Sequence, residues 1–132
     1  MAHLTTDTAS FEFIPAKKLK VYLVEEDMHS REPMSLAILH LLQEGEIESA
    51  TVFKAIEGFG EGRVIHTDKT EISSLNLPVT IEATDVPEKI ESIIEQIGGL
   101  MTSGLVEVSR TFILRPLSNR EDRPSSQGEQ PC

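Results

Sequence analysis

Cysteine and aromatic side chains are both rare in this sequence. Its one cysteine, Cys132, is the last of 132 residues, which excludes an internal disulfide and argues against a cysteine-based metal cluster or a buried nucleophile. Such usage fits a reducing compartment, so we expect a cytoplasmic protein. The chain has no tryptophan, one tyrosine and five phenylalanines, so it offers few stacking platforms for nucleic-acid bases.

Positive charge and long apolar runs are scarce as well. The formal net charge is −10, and the basic residues form no cluster beyond Lys17, Lys18 and Lys20, so we expect no nucleic-acid partner. No run approaches the roughly 20 apolar residues that cross a bilayer. The N-terminus also lacks the apolar segment of a signal peptide, and we expect a soluble protein that is not exported.

The length leaves room for one domain with a single core. Residues 1–15 mix small polar residues with a short FEFI run and are predicted to form a flexible N-terminal arm. Residues 16–115 are predicted to form the folded domain. Residues 116–132 are rich in proline, serine and charge, which predicts a disordered polar tail.

Four segments have the pattern of β-strands. Apolar and polar residues alternate over residues 18–23 and again over residues 77–83. Residues 51–56 are rich in β-branched and apolar types. The fourth segment, residues 105–114, places several apolar side chains on one face, namely Val106, Val108, Phe112 and Leu114.

Two segments have the apolar spacing of amphipathic helices. The first opens near Pro33 and ends at Gly45, which is predicted to be a left-handed cap residue. The second follows Asp85, a predicted N-cap, and has Pro87 in its first turn. The order β-α-β-β-α-β predicts an α+β, ferredoxin-like fold, in which two helices cover one face of a four-stranded antiparallel sheet.

The sheet face without helices is predicted to be partly apolar. Tyr22 and Val24 on the first strand and Val52 and Ile56 on the second are assigned to it. An apolar surface of this kind is usually buried in an interface. A homo-oligomer closed by symmetry is therefore expected.

Residues 50–67, ATVFKAIEGFGEGRVIHT, carry the pattern with the most functional content. A strand runs into Gly58, Phe59 and Gly60, and glycines there permit φ > 0 and a close approach of the backbone to a ligand. His66 adds a titratable group. A hairpin turn with a packed aromatic, and a structural histidine, explain the same residues without a ligand.

Three acidic residues, Glu25, Glu26 and Asp27, follow the first strand. They could bind a divalent cation or act as an acid/base pair, but neighbouring carboxylates in strand-to-helix loops are more often solvated or cap the helix. We therefore predict no metal ligands and no catalytic residues.

Several segments together resemble the domain-of-unknown-function 190 family, which is itself similar to the PII nitrogen-regulatory signalling proteins. They are KLKVYLVEED, Pro33 to Leu42, ATVFKAIEGFG, IHT and LPVTIEATD, and the resemblance spans about residues 17–114. Its most specific part is G-F-G-x4-I-H-T, from Gly58 to Thr67, followed by Leu77 and Pro78 at the start of the third strand.

The resemblance implies a PII-like homotrimer with ligand sites in clefts between subunits and a mobile loop between the second and third strands. In PII relatives the ligand is an adenine nucleotide, so AMP, ADP or another adenine nucleotide is the expected small anionic ligand. The resemblance assigns ligand-binding positions to the second strand and the motif: Thr51, Val52, Gly58, Phe59, Gly60, His66 and Thr67. Members of the family resemble companions of membrane transport proteins, including fluoride channels, which implies a membrane transporter or channel as a possible partner.

The chain departs from the PII pattern at the second strand and at the junction before the last strand, and the first loop, Glu25 to Glu32, departs from the related family. The chain has one more residue between Thr51 and the Gly-Phe-Gly turn, which a β-bulge could absorb. The junction before the last strand, GGLMTSGLV, lacks the lysine of the PII phosphate loop, and a triphosphate would lose its main charge partner. Arg63 and Arg110 are then the candidate cations for an anionic ligand.

The leading hypothesis is a PII-like signalling protein that reports a bound anion through the loop Gly60–Asn76. One alternative is a trimeric metal-binding or structural protein similar to the copper-tolerance proteins. The other is an enzyme in which His66 acts as general base, assisted by Glu25 or Asp27.

Overall fold

The computed structural model describes residues 2–5, 10–60, 62–68 and 76–117. These ranges contain two helices and nine strands, three of them longer than five residues. In chain order they are β1 (Ala2–Thr5), β2 (Ser10–Val24), β3 (Met28–His29), β4 (Glu32–Pro33), α1 (Met34–Glu44), β5 (Ala50–Lys54), β6 (Glu57–Gly58), β7 (His66–Thr67), β8 (Pro78–Asp85), α2 (Pro87–Leu100) and β9 (Leu105–Pro116).

The main sheet confirms the predicted ferredoxin-like order. Strands β5, β8, β2 and β9 lie side by side and antiparallel, and β1 adds to the N-terminal end of β2. Helix α1 connects β2 to β5, and α2 connects β8 to β9. Two short hairpins lie in the connections between these elements: β3 pairs with β4 between β2 and α1, and β6 pairs with β7 between β5 and β8.

Both helices pack on one face of the sheet and form an aliphatic core with it. Helix and sheet contribute equally to the side chains with 0% exposure, which are Leu19, Val21, Ile81, Ile38, Ile90 and Ile97. Burying an aliphatic side chain of this size contributes about 1.5–3 kcal/mol. Among the described residues, the core cluster contains no aromatic ring.

Gly45 ends α1 as predicted, but its conformation differs from the prediction. Gly45 has φ −79°, and the left-handed residue is Glu46, with φ 60°. A Cβ at Gly45 would lie 2.6 Å from Cδ1 of Ile93 on α2. The space that glycine leaves therefore lets the two helices approach, while its backbone freedom is not used.

The predicted N-cap of α2 was wrong by one residue. Asp85 is the last residue of β8, and the N-cap is Val86, whose side chain cannot cap a helix. Asp85 is 6% exposed, and its carboxylate accepts hydrogen bonds from the N–H groups of Val86 (2.7 Å) and Glu48 (2.9 Å). It ties the loop before β5 to the end of β8.

The face without helices is more polar than predicted. Lys18 and Lys20 both lie near Glu82, at 3.5 and 3.7 Å, and the Tyr22 hydroxyl donates to Glu107 at 2.8 Å. That hydrogen bond and the nearby carboxylates raise the pKa of Tyr22 above its usual value.

The register also corrects the predicted orientation of Val52. It lies directly opposite Ile81, which is buried under the helices, so Val52 belongs to the helix-covered face. Phe53 and Leu105 face the other side and are 51% and 59% exposed. The homo-oligomer inferred from this surface stays a prediction.

Strand β2 begins inside the segment assigned to the N-terminal arm. Residues 11–15 pair with β9, and the rings of Phe13 and Phe112 lie 5.3 Å apart. The flexibility of the arm stays a prediction, and residues 118–132 of the predicted tail lie outside the described residues. Within the described part of the chain, neither helix is long and apolar enough to cross a membrane.

Candidate functional site

A cavity of about 480 Å³ lies at one end of the main sheet. One wall comes from the end of β2 (Tyr22–Val24), the start of β8 (Pro78–Thr80) and Leu105 at the start of β9. These segments meet because β2 runs antiparallel to both neighbours, with Val24 opposite Pro78 and Tyr22 opposite Leu105. Another wall comes from the loop that carries the sequence motif, through Phe59, Gly60, Gly62, Arg63, Val64 and His66.

The short β6–β7 hairpin shapes this loop. It places Gly58 opposite His66, so the Gly-Phe-Gly and Ile-His-Thr parts of the motif meet across two strands. The Thr67 hydroxyl donates to the Glu57 carboxylate at 3.0 Å. A Cβ at Gly58 would lie 3.1 Å from Cγ of Pro78, so a glycine here lets the hairpin lie against the start of β8.

The left-handed backbone conformation occurs in this loop at Arg63 and not at the glycines of the motif. Neither Gly58 nor Gly60 has a positive φ, whereas Arg63 has φ 60°. The Arg63 N–H donates to the Gly60 carbonyl at 2.8 Å, which closes a turn. A left-handed conformation costs a non-glycine residue roughly 1–2 kcal/mol. The turn places this strained residue in the wall of the cavity.

The junction before β9 supplies the far side of the cavity, and sequence reasoning missed its role. Gly104 has φ 101°, and a Cβ there would lie 2.6 Å from the Tyr22 carbonyl oxygen. Only glycine fits this conformation and this approach. Beside it, the Ser103 hydroxyl lies 3.4 Å from the Asp27 carboxylate, and both residues line the cavity.

The structure brings together part of the predicted binding set. Phe59, Gly60, Arg63 and His66 line the cavity, and Gly58 and Thr67 lie in the hairpin next to it. Thr51 and Val52 are on β5 and do not line it. Tyr22, Asn76, Ser103 and Gly104 line it without having been predicted.

Arg110 lies elsewhere. It lines a second cavity with Lys17, Pro87 and Phe112. It lies five positions along β9 from Leu105, a distance of roughly 17 Å along a strand. Arg63 and Arg110 of one protomer therefore line different cavities.

The acidic residues after β2 have separate partners. Glu25 pairs with Lys54 at 2.6 Å and accepts from the Leu77 N–H at 3.0 Å, and these contacts lower the pKa of its carboxyl below the usual value. It does not line the cavity, whereas Asp27 does. Among the described residues, no three His, Cys, Asp or Glu side chains form a group that could hold a metal ion.

The folds of solved structures agree with this architecture. CPII, a nitrogen regulatory PII-like protein from Thiomonas intermedia K12 in a structure bound to ADP, AMP and bicarbonate, aligns with a TM-score of 0.62 at 18% identity. The alignment covers 79% of this chain and 92% of that protein. A putative PII-like signaling protein from Thermus thermophilus aligns with a TM-score of 0.52 at 11% identity, covering 77% and 91%. At these identities the likeness establishes the PII-like fold.

Sequence relatives establish the family. A UPF0166 protein of Methanocaldococcus jannaschii is 39% identical over 103 residues, covering 77% of this chain and 94% of the relative. A UPF0166 protein of Aquifex aeolicus is 33% identical over 99 residues, covering 72% and 94%. The model of the DUF190 family, described as "Uncharacterized ACR", matches residues 16–113. The chain therefore belongs to the DUF190 family, as the resemblance of its motifs predicted.

Proposed function

We propose that this protein is a PII-like regulatory protein that binds a small anionic ligand, an adenine nucleotide, in the cavity beneath the β6–β7 hairpin. The observation that carries the proposal is the lining of that cavity. The motif loop places Arg63 and His66 in one wall, and the other walls are largely apolar. The PII-like fold, and the ADP and AMP bound to CPII, support an adenine nucleotide as the ligand.

The charges of the lining favour few phosphates. Arg63 lines the cavity, and its planar guanidinium donates through a fork that suits a phosphate. It is the one Lys or Arg among the described residues that line the cavity, and Asp27 adds a negative charge there. A monophosphate or diphosphate therefore fits this lining better than a triphosphate, and AMP and ADP are the expected ligands.

A neighbouring copy completes the site in our proposal. The Arg110 side chain is exposed and forms no hydrogen bond or ion pair with any described residue, although Arg110 lies directly opposite Lys17. Lys17 is paired with Glu91 at 2.6 Å, whereas the Arg110 guanidinium keeps its donors for an anion. In a homotrimer with sites between subunits, Arg110 of one copy would meet the ligand held by Arg63 of the next.

The loop that includes the β6–β7 hairpin reports whether the ligand is bound. Phe59 and Val64 line the cavity and are 61% and 60% exposed, so their surroundings change when a ligand enters. A ligand that prefers one arrangement of this loop shifts the population toward it. A partner protein, which the resemblance implies to be a membrane transporter or channel, would read that arrangement.

A binding role for His66 is better supported than a catalytic one. Of the two carboxylates proposed to assist it, Glu25 is held by Lys54 and lies outside the cavity lining. Asp27 shares the lining with His66. The described residues also contain no group suited to a metal ion, so no observation favours the metal-binding alternative.

Isothermal titration calorimetry with AMP, ADP and ATP tests the proposal. Arg63→Asn removes the cation but keeps a residue that tolerates the left-handed conformation. We expect this variant to bind AMP about 10-fold more weakly or worse, because a hydrogen bond to a charged group is lost. Arg31→Asn is the matched control, since Arg31 is exposed in the β3–β4 turn and lines neither cavity.

Arg110→Asn tests whether the site is shared between two copies or lies within one protomer. Weaker AMP binding by this variant, with a trimer in light scattering, supports a site shared between copies. Unchanged affinity restricts the site to one protomer. Wild-type protein that binds none of the three nucleotides contradicts the proposed function.

A further inference from the structure

Asp27 is the most firmly held polar group in the cavity lining. Its N–H donates to the Val24 carbonyl (3.1 Å), and its own carbonyl accepts from the Met34 N–H (2.8 Å). Its carboxylate oxygen Oδ2 accepts from the Val24 N–H at 3.0 Å. Backbone and side chain are therefore both fixed before any ligand arrives, which lowers the cost of binding to this carboxylate.

The other carboxylate oxygen has capacity to spare. Asp27 Oδ1 is approached by the Ser103 hydroxyl at 3.4 Å, which is long for a hydrogen bond between oxygens. Ser103 is exposed, so a ligand can displace or join it. An ionised carboxylate accepts about four hydrogen bonds and donates none. Asp27 is thus a preformed acceptor that faces a cavity.

Asn76 places a donor in the same lining. Its Oδ1 accepts from the Glu26 N–H at 2.9 Å, which orients the amide and leaves its NH2 group to donate. Asn76 leads into β8, and Asp27 follows β2, whose end lies opposite the start of β8. The cavity therefore has an acceptor and a donor on the side of the strand ends, in addition to Arg63 and His66 in the motif loop.

We propose that Asp27 and Asn76 bind the ribose hydroxyls of the ligand and make the site selective for a nucleotide with both hydroxyls over its deoxy analogues. This inference rests on the proposed function, since it concerns the same ligand. A vicinal diol supplies the O–H donors that a carboxylate requires, and hydrogen bonds from hydroxyls to carboxylates are short and strong. An acidic residue reads the ribose in the same way in dinucleotide-binding folds.

The apolar part of the lining suits the base, so the base is not the group that we place at Asp27. Phe59, Leu105, Pro78 and Val79 give the cavity its apolar surface, which suits the flat faces of a purine. A charged carboxylate there would lose its hydration without a matching donor. The phosphate then lies with Arg63, the base lies on the apolar surface, and the ribose between them reaches Asp27.

Calorimetric titration of the wild-type protein with AMP, 2′-deoxy-AMP and 3′-deoxy-AMP tests this inference without a variant. At least one deoxy analogue should bind about 10-fold more weakly than AMP, because a charge-assisted hydrogen bond is missing. Equal affinity for all three ligands overturns the inference and leaves the proposed function standing. Absence of AMP binding is a different result and contradicts the proposed function itself.

Asp27→Asn then assigns the selectivity to this residue. The variant should reduce the deoxy penalty to less than about 3-fold, since a neutral amide oxygen accepts more weakly than a carboxylate. The ratio of two affinities cancels the general effect of removing a negative charge near the phosphate. Asp68→Asn is the matched control, because Asp68 is exposed and outside the lining, and it should keep the wild-type penalty.

Two results with Asp27→Asn would overturn the assignment. One is a deoxy penalty that stays at the wild-type value in a variant whose thermal melting shows it to be folded. The other is an altered ratio of AMP to GMP affinity with an unchanged deoxy penalty, which would mean that the carboxylate reads the base.

Discussion

The helix-covered face of the sheet and the motif loop use isoleucine in opposite ways. Ile38, Ile81 and Ile90 are 0% exposed beneath or on the helices, whereas Ile56 and Ile65 in the loop are 63% and 65% exposed. The first group supplies the hydrophobic stabilisation of the fold. The second group contributes little to the isolated chain, so its apolar surface is available for contact with a ligand or another protein. One region determines the fold, and the other carries the function that we propose.

The largest expected difference between the two regions is in stability, when one isoleucine in each is replaced by alanine. Ile81→Ala leaves a cavity in the closed core and should lower the free energy of unfolding by about 2–5 kcal/mol. Ile65→Ala removes the same atoms from an exposed site and should change it by less than about 0.5 kcal/mol. Urea unfolding followed by circular dichroism measures both. Similar losses in the two variants would show that Ile65 is buried in the protein in solution, for example in an oligomer.

Glycines sharpen the same comparison. Gly104→Ala should destabilise the protein by about 1–3 kcal/mol, because alanine is strained at φ 101° and its Cβ would meet the Tyr22 carbonyl. Gly60→Ala should change stability by less than about 1 kcal/mol, since no atom lies within 4 Å of the added Cβ. Thermal melting of the two variants gives the contrast. A strongly destabilised Gly60→Ala would mean that the loop end packs more tightly than the structure shows.

The strand and helix order could be predicted because each element has one buried face. Leu19 and Val21 alternate with lysines at a period of two, and in the sheet both apolar side chains are fully buried. Helix ends were less predictable, because the same local signals serve different contacts. Gly45 and Asp85 are residue types that often cap helices. In this structure, however, Gly45 makes room for Ile93, and Asp85 accepts a hydrogen bond from Glu48, and both partners are distant in the sequence.

The motif loop of the candidate site could be predicted, and the opposite wall could not. Gly58 and His66 belong to one recognisable pattern, and the structure places them opposite each other. Asp27 and Ser103 are 76 residues apart and meet only because β2 and β9 are neighbours, so no local pattern announces their contact. For Arg110, the strand pattern indicates the face of the sheet but not the distance from the motif loop. The residue lines a different cavity from Arg63.

The smallest expected effect concerns the carboxylate that links the two regions. Glu25 follows β2, accepts from the Leu77 N–H beside β8, and pairs with Lys54 at the end of β5, where the chain leaves the sheet for the motif loop. These contacts lower the pKa of its carboxyl from the usual value of 4.5. The folded protein therefore binds this proton more weakly than the unfolded chain does.

The sign of the pH dependence follows from that difference. The stabilisation by Glu25 is present above about pH 4.5 and is lost as the pH falls through the lower, folded pKa. The stability difference between wild type and Glu25→Gln should therefore be constant near neutral pH and shrink on acidification below pH 4.5. Glu26→Gln is the control, since Glu26 is exposed and only its backbone N–H has a described partner. Urea unfolding from pH 7 to pH 3 measures both differences, and a Glu25→Gln difference that does not change with pH would show that the ion pair at the root of the loop does not form in solution.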